Sequence, residues 1–174
     1  DGNTTGDFLK VDGISYTFPV GGATAFVGDN TDGSLLFTTA CVYGGPSNTL
    51  DDCGNVNAGI TGGEVSFGAS YDFDNGFTAA VGLQTANSGI VTEETQDAYA
   101  LNAAYTGENY GVSITYASGE NATLTDDDTV TAFNGYYTPD GLPSISVGYE
   151  VGEQGGVASN LSLIHISEPT RPGH

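Results

Sequence analysis

Val65-Ser66-Phe67-Gly68-Ala69-Ser70-Tyr71-Asp72-Phe73, closed by Asp74-Asn75-Gly76 and answered by Phe77-Thr78-Ala79-Ala80-Val81-Gly82-Leu83-Gln84, decides the fold. Side chains alternate between two faces of a strand, so a period of two marks a β-strand with one apolar face. Val65, Phe67, Ala69, Tyr71 and Phe73 share one face; Ser66, Gly68, Ser70 and Asp72 share the other. Asn-Gly between alternating runs is a strong hairpin signal, because glycine takes the positive φ the turn demands. Beyond it the alternation resumes, with Phe77, Ala79, Val81 and Leu83 opposite Thr78, Ala80, Gly82 and Gln84.

The pattern repeats along the chain. Tyr99, Leu101, Ala103 and Tyr105 alternate with Ala98, Ala100, Asn102 and Ala104; after Thr106-Gly107-Glu108-Asn109, Tyr110, Val112, Ile114 and Tyr116 oppose Gly111, Ser113, Thr115 and Ala117. A third pair spans 129–138 and 144–151, around Pro139-Asp140-Gly141-Leu142-Pro143. Its second strand sets Ile145, Val147, Tyr149 and Val151 against Ser144, Ser146, Gly148 and Glu150. Its first strand carries aromatics on both faces, Phe133 and Tyr137 against Tyr136, and leaves its orientation open. A weaker pair, 13–18 and 23–28, brackets Pro19-Val20-Gly21-Gly22. No stretch has the 3.6-residue period of an amphipathic helix. The expected fold is all-β, an antiparallel up-and-down meander of about eight strands.

Connection lengths alternate as well. Turns at 19–22, 74–76, 106–109 and 139–143 are tight, whereas links 29–63, 85–96 and 118–128 are long, polar and acidic. In a meander this gathers short turns at one end and long loops at the other, as outer-membrane barrels do. The face opposite the apolar one is built from Ser, Gly, Ala, Thr and Asn rather than the Lys and Glu of a water-facing sheet. Aromatics collect at strand ends (Phe73, Phe77, Tyr105 and Tyr110 by the turns, Tyr99 and Tyr116 towards the links), where interfacial girdles belong. The repeat from Tyr110 to Tyr116 rises about 20 Å, short of an apolar band ~25 Å tall. The strands are therefore read as part of a transmembrane β-barrel. The alternative is a secreted or surface-anchored soluble β-sandwich that binds calcium or a protein partner.

Composition narrows the function. The chain has 174 residues, 22 acids and 2 bases, for a formal charge of −20. Such a balance excludes nucleic acid, whose phosphates need Lys and Arg, and opposes docking on anionic headgroups. No run reaches the 18 apolar residues of a transmembrane helix. Residues 161–174 are set apart, since Leu161-Ser-Leu-Ile-His-Ile-Ser-Glu-Pro-Thr-Arg171 resembles a translated transposase adapter from a sequencing library. Both histidines (His165, His174) and the only arginine (Arg171) fall there. Residues 1–160 then form one partial barrel domain with 21 of the 22 acids, all but Glu168, and a single base, Lys10. Starting at Asp1 without methionine or signal peptide, the sequence reads as an internal fragment.

Without histidine no Ser-His-Asp or Cys-His pair is available, and no glycine loop leads into a helix to cradle phosphate. The chain is read as no enzyme and as needing no cofactor. Cys41 and Cys53, inside the longest link, are the candidate disulfide, a bridge that persists in the periplasm and at cell surfaces. Asp126-Asp127-Asp128 and Glu93-Glu94 are weak cation-ligand candidates, because calcium needs six to eight ordered oxygens. The candidate pore-lining residues are Asp72, Thr78, Gln84, Asn102, Ser113, Thr115, Ser146 and Glu150.

Three blocks carry a family resemblance: Val11-Asp-Gly-Ile-Ser-Tyr-Thr-Phe-Pro-Val20, Cys41-Val-Tyr-Gly-Gly-Pro-Ser-Asn-Thr-Leu-Asp-Asp-Cys53-Gly-Asn, and Gly141-Leu-Pro-Ser-Ile-Ser-Val-Gly-Tyr149-Glu. Over most of residues 7–152 the chain resembles cyanobacterial outer-membrane porins of the S-layer-homology, OprB-like carbohydrate-selective type, also labelled iron-uptake porins. The resemblance implies a barrel of about sixteen strands with an N-terminal wall-binding domain, of which this sequence would be the middle. The expected function is passive diffusion of small hydrophilic solutes and ions across the outer membrane. Pores of this type commonly place basic residues at the constriction, and this segment offers no arginine and only Lys10. With acids predominating, the expectation is a cation-preferring pore whose partners are the bilayer, small solutes and cations. The assembly of the full-length protein is left open, a homotrimer among the states allowed.

Overall fold

A computed structural model describes residues 13–42, 60, 63–85, 97–120 and 127–167. These form nine strands: β1 (Ile14–Val20), β2 (Ala23–Thr31), β3 (Gly63–Asp72), β4 (Phe77–Thr85), β5 (Asp97–Thr106), β6 (Tyr110–Gly119), β7 (Asp128–Tyr137), β8 (Ser144–Gln154) and β9 (Val157–Ser167). They lie in one sheet in sequence order, every neighbouring pair antiparallel. The expected all-β meander is thus the architecture. β1 and β9 are the sheet's two edges.

Local chemistry accounts for the hairpins. At the β3–β4 turn Asp74 (φ 59°) and Gly76 (φ 88°) take left-handed conformations. Asp72 Oδ1 accepts the Asp74 N–H at 2.9 Å, and Asn75 Oδ1 accepts that of Phe77 at 3.2 Å, as short Asx side chains do in turns. Neighbouring turns are also stitched together. Thr106 N–H donates to the Gly76 carbonyl and Thr138 N–H to the Asn109 carbonyl, both at 2.8 Å. Pro19 lies within β1 opposite Thr24 rather than in the turn, a placement an edge strand tolerates.

Two elements depart from the sequence reading. β8 and β9 are joined by Gly155-Gly156 alone, at φ 57° and 77°, so a tight turn interrupts the end that otherwise carries the long links. β9 also runs through residues 161–167, pairing with β8 from Gln154↔Val157 to Ser144↔Ser167. An edge strand recruits partners through its backbone, and this segment's apolar residues fall on both faces, Leu161 beside Glu150 and Ile164 and Ile166 beside Val147 and Ile145.

The sheet's two faces are chemically inverted relative to a water-soluble protein. Leu101 (50% exposed), Val112 (52%), Ile114 (42%), Phe133 (48%) and Val147 (46%) stand open on one face. No second sheet covers them among the described residues. Val65 and Phe67, on the same face, are half-buried. The register resolves β7: Phe133 and Tyr137 share the open face, with Ile114 and Tyr149 beside Phe133. Tyr136 takes the other face and lies across Gly111, where a Cβ would strike its ring. On that second face Ser66, Asn102, Ser113, Thr115, Asn134, Ser146 and Glu150 are buried together with Ala80, Ala100, Ala104 and Ala132. Among the described residues the one large side chain fully buried there is Phe26, at 1% exposure, whose ring lies over Gly68.

β5, β6 and β7 have 10 residues each. That is about 33 Å of strand, or ~23 Å of height at a 45° tilt. The whole strand, rather than the Tyr110–Tyr116 repeat alone, therefore matches the ~25 Å band.

Candidate functional site

The polar face is occupied by the chain itself. After β2, residues 33–42 cross the sheet obliquely from the long-link end of β4 towards the turn end of β8. Their backbone is held by side chains of four strands. Gly33 N–H donates to Gln84 Oε1 of β4 at 3.2 Å. Thr38 N–H donates to Asn102 Oδ1 of β5 at 2.9 Å, and Asn102 Nδ2 donates back to the Thr38 carbonyl at 3.0 Å. Ala40 N–H donates to Ser113 Oγ of β6 at 2.8 Å. Val42 N–H donates to Ser146 Oγ of β8 at 2.8 Å, and that hydroxyl donates to the Val42 carbonyl at 3.1 Å.

The anchored positions 38, 40 and 42 are two apart because an extended chain turns every second N–H to the same side. A buried backbone amide without a partner costs about 1–3 kcal/mol, and the strap meets a wall of side chains at hydrogen-bonding distance instead. Small residues let it come close. A Cβ on Gly82 would collide with the Gly33 carbonyl. Phe37 and Ile60 pack on Ala98, Ala100 and Ala117. The strap's root is fixed by a Thr31–Ser66 hydroxyl contact at 2.6 Å and by Ser34, whose N–H and Oγ donate to the Ile60 carbonyl at 3.2 and 3.1 Å.

The sequence-derived candidates thus divide. Gln84, Asn102, Ser113 and Ser146 are anchors of the strap. Thr115 supports Asn102, accepting from its Nδ2 at 2.9 Å. Thr78 is half-buried near the turn end, with no hydrogen-bond partner for its Oγ1 among the described residues. Asp72 is exposed at the β3–β4 turn, which it caps. Glu150, 3% exposed, sits in the middle of β8 between Ala132 and Leu161. Cys41, next to two anchored residues, is disulfide-bonded; Cys53, the chain's other cysteine, lies outside the described residues, as do Lys10, Glu93, Glu94 and Asp126. Asp127 is exposed, and Asp128 Oδ1 accepts the Gly155 N–H at 2.6 Å. No group of three metal-ligating side chains occurs among the described residues.

The strap itself was not anticipated, because 29–63 reads as one polar, acidic link. Its signal is nevertheless present. Leu35-Leu36-Phe37-Thr38-Thr39-Ala40-Cys41-Val42 is an uncharged run inside that acidic stretch.

Charge is distributed by position along the strands. Asp29, Asp32, Glu64, Asp97, Glu120, Asp127, Asp128 and Glu153 lie at the end where the strap originates, and Asp72, Asp74, Glu108 and Asp140 at the opposite, short-turn end. Neither lysine nor arginine occurs among the described residues. A rim of one sign concentrates counter-ions and focuses the field into a cleft. A scan of protein-family models matches none to this chain, and a search of curated proteins finds no match.

Proposed function

We propose that this chain forms part of the wall of an outer-membrane porin, which passes small hydrophilic solutes and ions down their gradients and prefers cations. The observation that carries the reading is the inversion of the sheet. Leu101, Val112, Ile114, Phe133 and Val147 stand uncovered on one face, while the other buries amides and hydroxyls. In water this arrangement is costly, at about 25 cal/mol for each Å² of apolar surface left exposed. Against lipid hydrocarbon it is favourable, and in a spanning barrel the strands satisfy each other's backbone groups.

The aromatics support the same orientation. Phe77–Tyr105 and Tyr105–Tyr110 pack with centroids 4.7 and 5.6 Å apart at the turn end, and Tyr99–Tyr116 at 6.2 Å towards the other end. Two such belts fit the two membrane–water interfaces. The polar face then borders the lumen, the strap narrows it, and the acidic rim supplies the cation preference.

The test is reconstitution of the full-length protein into liposomes loaded with hydrophilic solutes of graded size. Release that stops above a size limit supports a porin. A monodisperse protein that needs no detergent, melts cooperatively and releases nothing would instead favour a soluble β-domain.

A further inference from the structure

Resting on the porin reading for its orientation in the bilayer, we propose that the open face carries a site for one phospholipid whose headgroup bears an ammonium. Its tail lies in a groove floored by Ala103, and its ammonium meets the turn carboxylates of Asp74 and Glu108.

Strand register builds the groove. Ala103 lies between Ala79 and Ile114, and Ile114 is followed by Phe133. The next row towards the turns runs Phe77, Tyr105, Val112. Ala103 is thus a low point among bulky side chains. Phe77, Ala103, Tyr105, Val112, Ile114 and Phe133 line a depression of about 370 Å³, within the ~300–1,000 Å³ usual for small-ligand sites. Phe77 and Tyr105 hold each other with ring centroids 4.7 Å apart, so that wall is already set. The lining crosses four strands, about 14 Å at the ordinary strand spacing. A trough of this kind suits a single hydrocarbon chain, whereas a second copy of the sheet would bring a broad face of projecting side chains.

The turn above the groove chooses the lipid. Hydrocarbon tails are as apolar as leucine, so apolar contact alone gives a lipid no reason to prefer protein to its neighbours. Fit and headgroup must supply the preference. The groove lies in the half of the strands nearer the short turns. There Thr106 N–H donates to the Gly76 carbonyl at 2.8 Å, which sets the turns of Asp74 and Glu108 side by side. Glu108 stands in the turn between Tyr105 and Tyr110, whose rings are 5.6 Å apart. Both carboxylates are exposed, and no lysine or arginine among the described residues neutralises them. An anionic headgroup is repelled at that edge and an ammonium is attracted.

The experiment inserts the full-length protein into vesicles of equal parts phosphatidylethanolamine and phosphatidylglycerol with identical chains. It is then extracted in mild detergent, and the lipid it retains is read by native mass spectrometry. The parent protein is expected to keep one lipid per chain, ethanolamine over glycerol by about fivefold, the scale of one charge at a membrane surface. The preference should shrink when insertion is done at high salt. Ala103→Phe fills the groove and abolishes retention. Phe133→Ala removes a wall and lowers retention several-fold, which keeps the proposal testable if Ala103→Phe does not insert. Glu108→Gln with Asp74→Asn keeps the lipid and erases the headgroup preference. Equal retention by the parent, Ala103→Phe and Phe133→Ala would overturn the groove and leave the porin reading intact. A retained glycerol lipid in preference to ethanolamine, or a second copy of the chain in place of any lipid, would overturn the proposal as well. Failure of the parent protein to enter vesicles would instead overturn the porin reading.

Discussion

Asn102 holds the backbone of Thr38 by both of its polar groups, accepting the N–H at 2.9 Å and donating to the carbonyl at 3.0 Å. A side-chain amide here does what a neighbouring strand would do in a sheet, and it does so across 64 residues of sequence. Ser146 repeats the device on Val42 with one hydroxyl. The small polar residues of this face are thus a docking surface for the protein's own chain. Replacing Asn102 by Leu is expected to cost about 1–3 kcal/mol, the penalty of unsatisfied buried groups. Amide exchange should accelerate at Thr38, Ala40 and Val42 and remain slow in β5 and β6. Unchanged exchange at Thr38 would show that the clasp does not hold the strap.

Gly82 gives a steric version of the same experiment. With the Gly33 carbonyl directly above it, Gly82→Ala must push the strap's first turn away, at about 1–3 kcal/mol for an overpacked contact. The β4 backbone has no reason to move. The expected outcome is a lower unfolding midpoint in detergent together with faster exchange at Gly33. Full stability in the alanine variant would place the strap farther from β4 than the structure has it.

Much of this was readable from sequence, for a physical reason. Alternation fixes which face a residue takes, and Val112-Ser113-Ile114-Thr115 announces both faces of β6 directly. The Asn75-Gly76 turn likewise sets the β3–β4 register. The strap was not readable, because its anchors are long-range contacts between a link and side chains whose types suit water equally well. Ser113 looks the same whether it binds solvent or the Ala40 amide. Tyr136 was ambiguous for a related reason: the space it fills is created by Gly111 on a neighbouring strand, which no local pattern of β7 reveals. The two-glycine turn at 155–156 escaped notice because the alternation fades there.

The open face makes its own prediction. Ile114 is 42% exposed and lies between the aromatic ends of its strand. On a soluble protein, Ile114→Arg would alter stability by no more than about 0.5 kcal/mol. In a bilayer, an arginine on the lipid face near the midplane costs about 2–4 kcal/mol. Folding of the full-length variant into vesicles, titrated with urea and read by gel mobility, distinguishes the two. The membrane account expects a clear loss of folded fraction, and an indifferent Ile114→Arg would count against it.

Cys41 is disulfide-bonded and stands beside Ala40 and Val42, both fixed to the sheet. The expectation is a Cys41–Cys53 disulfide in exported protein, found by mass spectrometry of unreduced peptides. Closing a loop of this size contributes about 3 kcal/mol in the entropic description. Reduction should therefore lower the unfolding midpoint. Two free thiols in exported protein would remove the bridge from the account.

The central claim, a water-filled pore with an acidic mouth, is tested most directly by the reversal potential of the full-length protein in a planar bilayer under a potassium chloride gradient. The account predicts discrete channel openings with a potential of cation-selective sign, moving towards zero as salt rises and the rim is screened. An anion-selective potential, or a membrane that stays silent, would contradict it.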